Sequence, residues 1–166
     1  MKDILAVCPG SFDPVTVGHL DIIRRAAAMY PRLIVVVMIN AAKAPSFSPE
    51  ERVDMLQQVM SDLPNVIVDV YDGLLADYMR QKQANVIIKG LRAMSDFEYE
   101  FQQALINKRL YGAAETSFLI TSADNMYLSS SLVRTIASMG GDIGEFVPAV
   151  IAPKIQEKLY RKDETK

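Results

Sequence analysis

The only histidine of this chain, His19, stands at the end of a glycine- and proline-rich loop that follows a short apolar run. The run covers residues 4–8, and residues 9–19 read PGSFDPVTVGH. A buried strand that leads through such a loop into a helix builds a phosphate site from backbone N–H groups and the positive helix end. A histidine on the first turn of that helix would face the phosphate. The alternative is that this single histidine only caps a helix or fills space in the core. Its place after this loop favours phosphate chemistry.

A second cluster puts two cations beside a glycine at the end of a predicted strand. Lys89, Gly90 and Arg92 follow the apolar residues 86–88. Arginine suits bidentate phosphate binding, whereas lysine acts as a compact point charge. A solvated strand end is the alternative for either residue alone, but both charges are expected to project into one crevice. Lys43, after the second predicted strand, is a further candidate cation.

The third cluster is a run of serines at the start of a predicted helix. Residues 127–134 read YLSSSLVR. Serine runs at helix starts usually act as caps. Their hydroxyls and the first N–H groups of the helix can also bind an anion. The sequence therefore predicts a capped helix or an anion site at 129–131.

Apolar, β-branched runs alternate with stretches of helical period, which predicts an α/β fold: a parallel sheet with helices on both faces. The predicted strands cover 4–8, 33–39, 66–70, 86–88 and 117–120. The predicted helices follow the first loop and cover about 49–60, 74–82, 95–110 and 132–139. The sequences SPEE (48–51) and SDFE (95–98) are predicted capping boxes for two of them.

A Rossmann-like, doubly wound sheet binds its ligand at the carboxyl ends of the strands, where the strand order reverses. With five strands in the order 3-2-1-4-5, the loops after strands one and four face each other there. Those loops hold residues 10–19 and 89–92. The segments with the most chemistry are therefore expected to meet at one crevice.

Composition limits the protein's class. The chain has 166 residues, of which 50% are hydrophobic, and a formal net charge of −2; we expect one domain over 1–166 with a frayed tail at about 161–166. This balance offers no basic field for nucleic acid. Cys8 is the only cysteine, and the sequence shows neither a signal-peptide pattern nor an apolar run of membrane-spanning length. We therefore expect a cytoplasmic protein without membrane contact.

Several of these segments resemble a known family. The segment TVGH (16–19) is similar to the T/H-x-G-H signature of the nucleotidyltransferase superfamily, and SSSLVR (129–134) resembles the I-S-S-S/T-x-x-R motif that accompanies it. The segments FSPEER (47–52), DGLL (72–75) and, most specifically, GLRAMSDFEYE (90–100) look like the phosphopantetheine adenylyltransferase family. This resemblance covers nearly the whole chain. It implies transfer of AMP from ATP to 4′-phosphopantetheine by direct in-line attack, without a covalent enzyme intermediate, giving dephospho-CoA and pyrophosphate.

The resemblance also implies roles for single residues. The implied catalytic residues are His19, Lys43, Arg92 and Ser130. The implied ATP contacts are Gly10, Ser11, Phe12, His19, Gly90, Leu91, Arg92, Glu100, Asn125, Met126, Tyr127, Leu128, Ser129, Ser130 and Ser131. The implied phosphopantetheine contacts are Ser11, Lys43, Leu75 and Lys89. This chain has Lys89 where the family usually has arginine, and Asn125-Met126 where it often has an aromatic–serine pair.

Partners follow from the same resemblance. It implies Mg²⁺ held mainly by the ATP phosphates, with no protein metal ligand, and a homohexamer built as a dimer of trimers. CoA is a candidate feedback inhibitor. The apolar Phe101, Leu105 and Leu110 on a predicted helix fit either the core or an oligomer interface.

The implied reaction needs no protein base, because a phosphate monoester has its second pKa near ~6 and is mostly a dianion at neutral pH. The protein would align the reacting atoms and neutralise charge. Three alternatives stay open from the sequence: a related cytidylyl or nicotinate-mononucleotide transferase, an aminoacyl-tRNA synthetase core, and a nucleotide sensor without catalysis.

Overall fold

The computed structural model describes residues 4–40 and 44–160. Within them, five parallel strands form one sheet in the order β3-β2-β1-β4-β5. The strands are Leu5–Gly10 (β1), Arg32–Ile39 (β2), Val66–Asp72 (β3), Val86–Leu91 (β4) and Glu115–Ile120 (β5). The predicted fold class and the predicted strand order are confirmed.

The two strands β1 and β2 form the buried centre of the sheet. Residues 5–9 of β1 and 33–37 of β2 are buried at every position. Strands covered on both faces need apolar side chains throughout, which is why these two segments show continuous apolar runs rather than alternation. The edge strands β3 and β5 are only partly buried. The loop after β1 is therefore anchored to one of the two strands that form this buried centre.

Helices cover both faces of the sheet. They are Val17–Met29 (α1), Pro49–Val59 (α2), Leu75–Lys82 (α3), Met94–Leu110 (α4), Ser130–Ser138 (α5) and Ala152–Leu159 (α6). Buried side chains of α1, α2, α5 and α6 belong to one apolar core, and those of α3 belong to a second core. No helix among the described residues is long and apolar enough to cross a bilayer.

One of the two predicted capping boxes is confirmed and the other is wrong. Ser48 accepts from the N–H of Glu51 and donates its own N–H to the Glu51 carboxylate, and Pro49 opens α2. Helix α4 instead begins at Met94, with no side-chain cap at its start. Ser95, the predicted cap, lies inside the first turn, where the carboxylate of Asp96 binds Arg92.

Several further boundaries differ from prediction, among them the start of α5, at Ser130 rather than at residue 132, and the end of β4. Strand β4 runs on to Leu91, so Lys89 and Gly90 lie in the strand rather than in the loop, because their backbones pair with β5. Helix α6 was not predicted, since it is short and contains Pro153 near its start. Proline is favoured in the first helical turn, and the fully buried Ile155 holds α6 against the core.

Candidate active site

A cleft of about 890 Å³ opens at the carboxyl ends of β1 and β4. This volume lies in the range of small-molecule sites, roughly 300–1,000 Å³. The expected site residues that line it are Gly10, Ser11, Phe12, His19, Leu75, Lys89, Gly90, Arg92, Glu100, Asn125, Leu128, Ser129 and Ser130. Four others, Leu91, Met126, Tyr127 and Ser131, are not among its lining residues. Lys43 lies outside the described residues.

The loop between β1 and α1, residues 11–16, contributes Ser11, Phe12 and Thr16 to the lining of the cleft. It is called the nucleotide loop below, after the role that the resemblance implies. Phe12 has a left-handed φ of 48° and is 3% exposed. No hydrogen bond of the described residues uses the N–H groups of Ser11 or Phe12. Successive free N–H groups around a left-handed residue form an anion-binding concavity. A β-carbon on Gly10 would lie 2.8 Å from the Phe12 ring, so this glycine is needed for packing of the loop itself.

His19 lies on the first turn of α1, as the sequence predicted. Its Nδ1 accepts the backbone N–H of Thr16 at 3.1 Å, and its own N–H donates to the Thr16 hydroxyl at 3.3 Å. This is a capping box in which histidine replaces the usual Glu or Gln. Because a backbone N–H can only donate, Nδ1 must be the acceptor, and the proton of the neutral ring is on Nε2. The structure thus assigns His19 a capping role and leaves one N–H to donate from a cleft-lining ring.

Burial, and secondly the positive charge of Arg92, lower the pKa of His19 to about 4. The ring is therefore neutral at physiological pH in the unliganded protein. The unfolded chain takes up the same proton near pH ~6.5. Since the unfolded state binds the proton first, protonation destabilises the fold as the pH falls from about 6.5 towards 4.

We expect NMR of the unliganded protein to give a His19 titration midpoint near pH 4. The assignment is unambiguous because the chain has one histidine. Arg92→Met should move the midpoint upward, because it removes a cation that disfavours protonation. A midpoint near ~6.5, the value for a free histidine, would contradict a ring kept neutral by desolvation and by Arg92.

Lys89 and Arg92, the two cations expected in the cleft, each form an ion pair with a carboxylate. Lys89 Nζ lies 3.2 Å from Glu100 Oε2. Arg92 contacts Asp96 through Nε at 3.0 Å and donates to the Leu128 carbonyl at 2.9 Å. Glu100 Oε2 is buried and takes part in no well-aligned hydrogen bond within the described structure. The ion pair with Lys89 is therefore its main interaction, although the resemblance implied that Glu100 contacts ATP.

The serine hydroxyls at the start of α5 each have a partner. Ser129 caps the helix by accepting from Leu132 N at 3.1 Å, Ser130 donates to the Pro14 carbonyl at 2.7 Å, and Ser131 accepts from Arg134 at 3.2 Å. The capping alternative is therefore confirmed for Ser129. Ser130 instead joins α5 to the nucleotide loop. Any anion site here would rely on the first N–H groups of the helix.

The other side of the cleft is lined by apolar side chains together with the polar Asn40, Asp72, Gln103 and Asn107. Its walls include Met38, Ile39, Leu74, Leu75 and Ile106, contributed by β2, the start of α3 and α4. A surface of this kind suits an extended, uncharged part of a ligand. The cleft thus combines a phosphate-type site with an apolar groove.

Charged residues behind the nucleotide loop were missed from the sequence. Arg52 is 3% exposed and Asp13 is 6% exposed, and neither was assigned a role. One signal was available: Arg52, Met55, Leu56 and Val59 share the spacing of the buried face of a helix. A charged residue at a core position of that pattern needs polar partners inside the fold.

The comparisons with known proteins agree with this arrangement. The family model described as cytidylyltransferase-like matches residues 7–136. A phosphopantetheine adenylyltransferase of Caldanaerobacter subterraneus subsp. tengcongensis is 55% identical over 157 residues, which cover 95% of this chain and 98% of that protein. The chain belongs to the phosphopantetheine adenylyltransferase family. A member from Dictyoglomus thermophilum is 56% identical over 94% of this chain and 95% of its own length.

The fold extends beyond this family. The structure of Plasmodium falciparum nicotinic acid mononucleotide adenylyltransferase, complexed with NaAD, matches with a TM-score of 0.67 and 12% identity, over 94% of each chain. At that identity the match concerns the fold alone. Phosphopantetheine adenylyltransferases and this more distant enzyme therefore share one architecture.

Proposed function

We propose that the protein transfers AMP from ATP to 4′-phosphopantetheine, forming dephospho-CoA and releasing pyrophosphate. The observation that carries the proposal is the 55% identity, over nearly the full length of both chains, to a relative of that name. The cleft supports it, because a loop with free N–H groups and an apolar groove meet there. These two surfaces suit the phosphates of ATP and the uncharged arm of the acceptor, respectively.

The reaction is a direct displacement at the α-phosphorus of ATP. An oxygen of the acceptor phosphate forms the new P–O bond, and the bond to the β-phosphate oxygen breaks as pyrophosphate leaves. The acceptor arrives ionised, because its second pKa is near ~6. A neutral His19 then acts as a donor from Nε2 to a phosphate oxygen that gains charge in the transition state. Cys8 also lines the cleft, but burial raises the pKa of its thiol to about 12, which agrees with a mechanism lacking a covalent intermediate.

The cations divide between the two substrates in this proposal. Arg92, the nucleotide loop and the N–H groups at 129–131 bind ATP, with Ser130 holding the loop against α5. Lys89, Leu75 and Lys43 bind phosphopantetheine. Arg92 would exchange its bond to Asp96 for a phosphate, which a planar guanidinium can bind through two parallel N–H groups.

Mg²⁺ is proposed to enter with ATP. Among the described residues, no three His, Cys, Asp or Glu side chains lie close enough together to hold a metal ion. Two of the three carboxylates that line the cleft, those of Asp96 and Glu100 but not that of Asp72, are ion-paired within residues 4–40 and 44–160. A site of this composition fits an ion held by phosphate oxygens and water, which Mg²⁺ accepts readily. When bound there, Mg²⁺ would neutralise phosphate charge.

The decisive experiment incubates the protein with ATP, Mg²⁺ and 4′-phosphopantetheine and follows dephospho-CoA and pyrophosphate together. Parallel reactions replace the acceptor with nicotinate mononucleotide, or ATP with CTP. Product only in a parallel reaction would transfer the assignment to a sister activity. ATP binding without product from any acceptor would identify a sensor.

Lys89→Ala is expected to raise KM for phosphopantetheine by about tenfold or more, since one charge-assisted contact contributes roughly 1.5–3 kcal/mol. KM for ATP should change little, and Lys89→Arg should be tolerated or should bind the acceptor more tightly. Steady-state kinetics with each substrate varied in turn makes this test. Loss of ATP binding in Lys89→Ala, with ATP binding intact in Arg92→Ala, would exchange the two roles.

The protein is further proposed to be a cytoplasmic homohexamer that CoA inhibits. Helix α4 supports association, because Phe101, Leu105 and Leu110 are 45%, 55% and 46% exposed, and such a patch is costly on a monomer. CoA shares the pantetheine arm of the acceptor and would compete for the apolar groove.

Sedimentation at micromolar concentration should give about six times the 18.5 kDa chain mass. Leu105→Glu should lower that mass, because the substitution places a charge on the exposed apolar face of α4. A single species at the chain mass would overturn the hexamer and leave the activity untouched.

A further inference from the structure

Three carbonyl groups of the nucleotide loop are bound by side chains from outside the loop. The Ser11 carbonyl accepts from Arg52 at 3.0 Å, the Asp13 carbonyl accepts from Arg134, and the Pro14 carbonyl accepts from Ser130 at 2.7 Å. A carbonyl oxygen turned towards a phosphate would repel it, whereas an N–H group attracts it. Because these carbonyls are occupied on the side of α2 and α5, the loop can present its N–H groups to a ligand.

The carboxylate of Asp13 makes a second connection in the same place. Its Oδ1 accepts the N–H of Phe47 and its Oδ2 accepts the N–H of Ser46, both at 2.9 Å. Arg134 also lies 3.4 Å from Oδ2. The nucleotide loop is therefore tied to the segment that leads into α2, 33 and 34 residues further along the chain.

Arg52 is bound in an unusual way for a buried cation. It is 3% exposed, and its described hydrogen bonds go to two carbonyls, those of Ser11 and Ser48. No carboxylate pairs with it among the described ion pairs. Burying a guanidinium without a counter-ion costs free energy, so its place beneath the loop is not explained by fold stability alone. It is not a lining residue of the cleft.

We propose that Arg52 and Asp13 are positioning residues for the nucleotide: together they hold the nucleotide loop in the conformation that binds phosphate. We call this pair the loop clasp. Its effect is preorganisation, because a loop already fixed in its bound shape loses less entropy when ATP binds. The left-handed backbone at Phe12 needs such support, since that conformation is unfavourable outside glycine. The inference rests on the proposed use of ATP.

The test compares ATP affinity with exchange of two amides. Arg52→Met keeps the bulk of the side chain and removes the donors, while Asp13→Asn keeps the size and forces one N–H to face an amide NH₂. Arg24→Met is the matched control, since Arg24 is exposed and pairs with Asp62 at the surface. Calorimetry measures ATP Kd with Mg²⁺ present, and hydrogen exchange measures protection at Ser46 and Phe47 without ligand.

Both clasp variants should raise ATP Kd by about tenfold or more, which corresponds to the loss of one charge-assisted hydrogen bond. The Ser46 and Phe47 amides should exchange at least about tenfold faster, while amides of β1 and β2 keep their protection. Arg52→Lys, which keeps the charge with a single ammonium donor group, should fall between Arg52→Met and the parent. Arg24→Met should match the parent in both measurements.

Clasp variants that fold and bind ATP like the parent would overturn the proposal. If Arg52→Met does not fold, Asp13→Asn and Arg52→Lys decide by the same criteria. A parent that binds ATP but forms no dephospho-CoA would contradict the proposed acceptor and leave the clasp testable through ATP affinity. A parent that binds no ATP would contradict both.

Discussion

His19→Ala is expected to lower kcat by about 10²–10³-fold while ATP affinity and the fold are largely kept. The reason is that Nε2–H donates to charge that develops in the transition state, so its removal affects turnover more than ground-state binding. Single-turnover measurement of dephospho-CoA formation isolates this step. Near-normal kcat in the folded variant would remove His19 from the mechanism.

The capping role of His19 requires a control, because alanine also removes the acceptor of the Thr16 N–H. Gln and Glu both preserve a capping box at this position. His19→Gln keeps a donor on its amide and should retain part of the activity. His19→Glu keeps the cap but has no donor and adds negative charge, so it should be at least as slow as His19→Ala. Equal activity of the Gln and Glu variants would show that the cap, not the donor, matters.

The central strands could be predicted because burial on both faces leaves a pattern within each segment's own sequence. Strands buried on both faces need uninterrupted apolar residues, and 33–39 is such a run. The end of β4 was misjudged because Lys89 and Gly90 read as a loop. Their place in the strand comes from pairing with β5, which no local pattern reveals.

The candidate site was likewise predictable only where the signal lies within one segment. His19 follows a strand and a loop at fixed spacing, so its place on the first turn of α1 could be derived from the sequence. The partners of the charged residues could not, because they depend on packing between distant elements. Arg52 and Ser11 are 41 residues apart in the chain, and only the packing of α2 under the loop brings them together.

Phe47→Ala is expected to lower the free energy of unfolding by about 3–5 kcal/mol, a large share of the roughly 5–15 kcal/mol typical of a domain. Phe47 is 1% exposed and belongs to the apolar core that also contains buried side chains of α1, α2, α5 and α6. Alanine leaves a cavity that this close-packed region can only partly close. Phe47→Leu should cost much less, because it restores most of the lost volume.

The measurement is urea unfolding at one fixed protein concentration, because association would make the apparent stability depend on concentration. A lower midpoint with an unchanged m-value would assign the effect to the native state. Met139→Ala is the control, since Met139 is 80% exposed and its truncation should shift stability by less than about 0.5 kcal/mol. The Phe47 N–H still donates to Asp13 in the alanine variant, because that bond belongs to the backbone. A loss below about 1 kcal/mol for Phe47→Ala would therefore mean that this side chain is not a core element beneath the nucleotide loop.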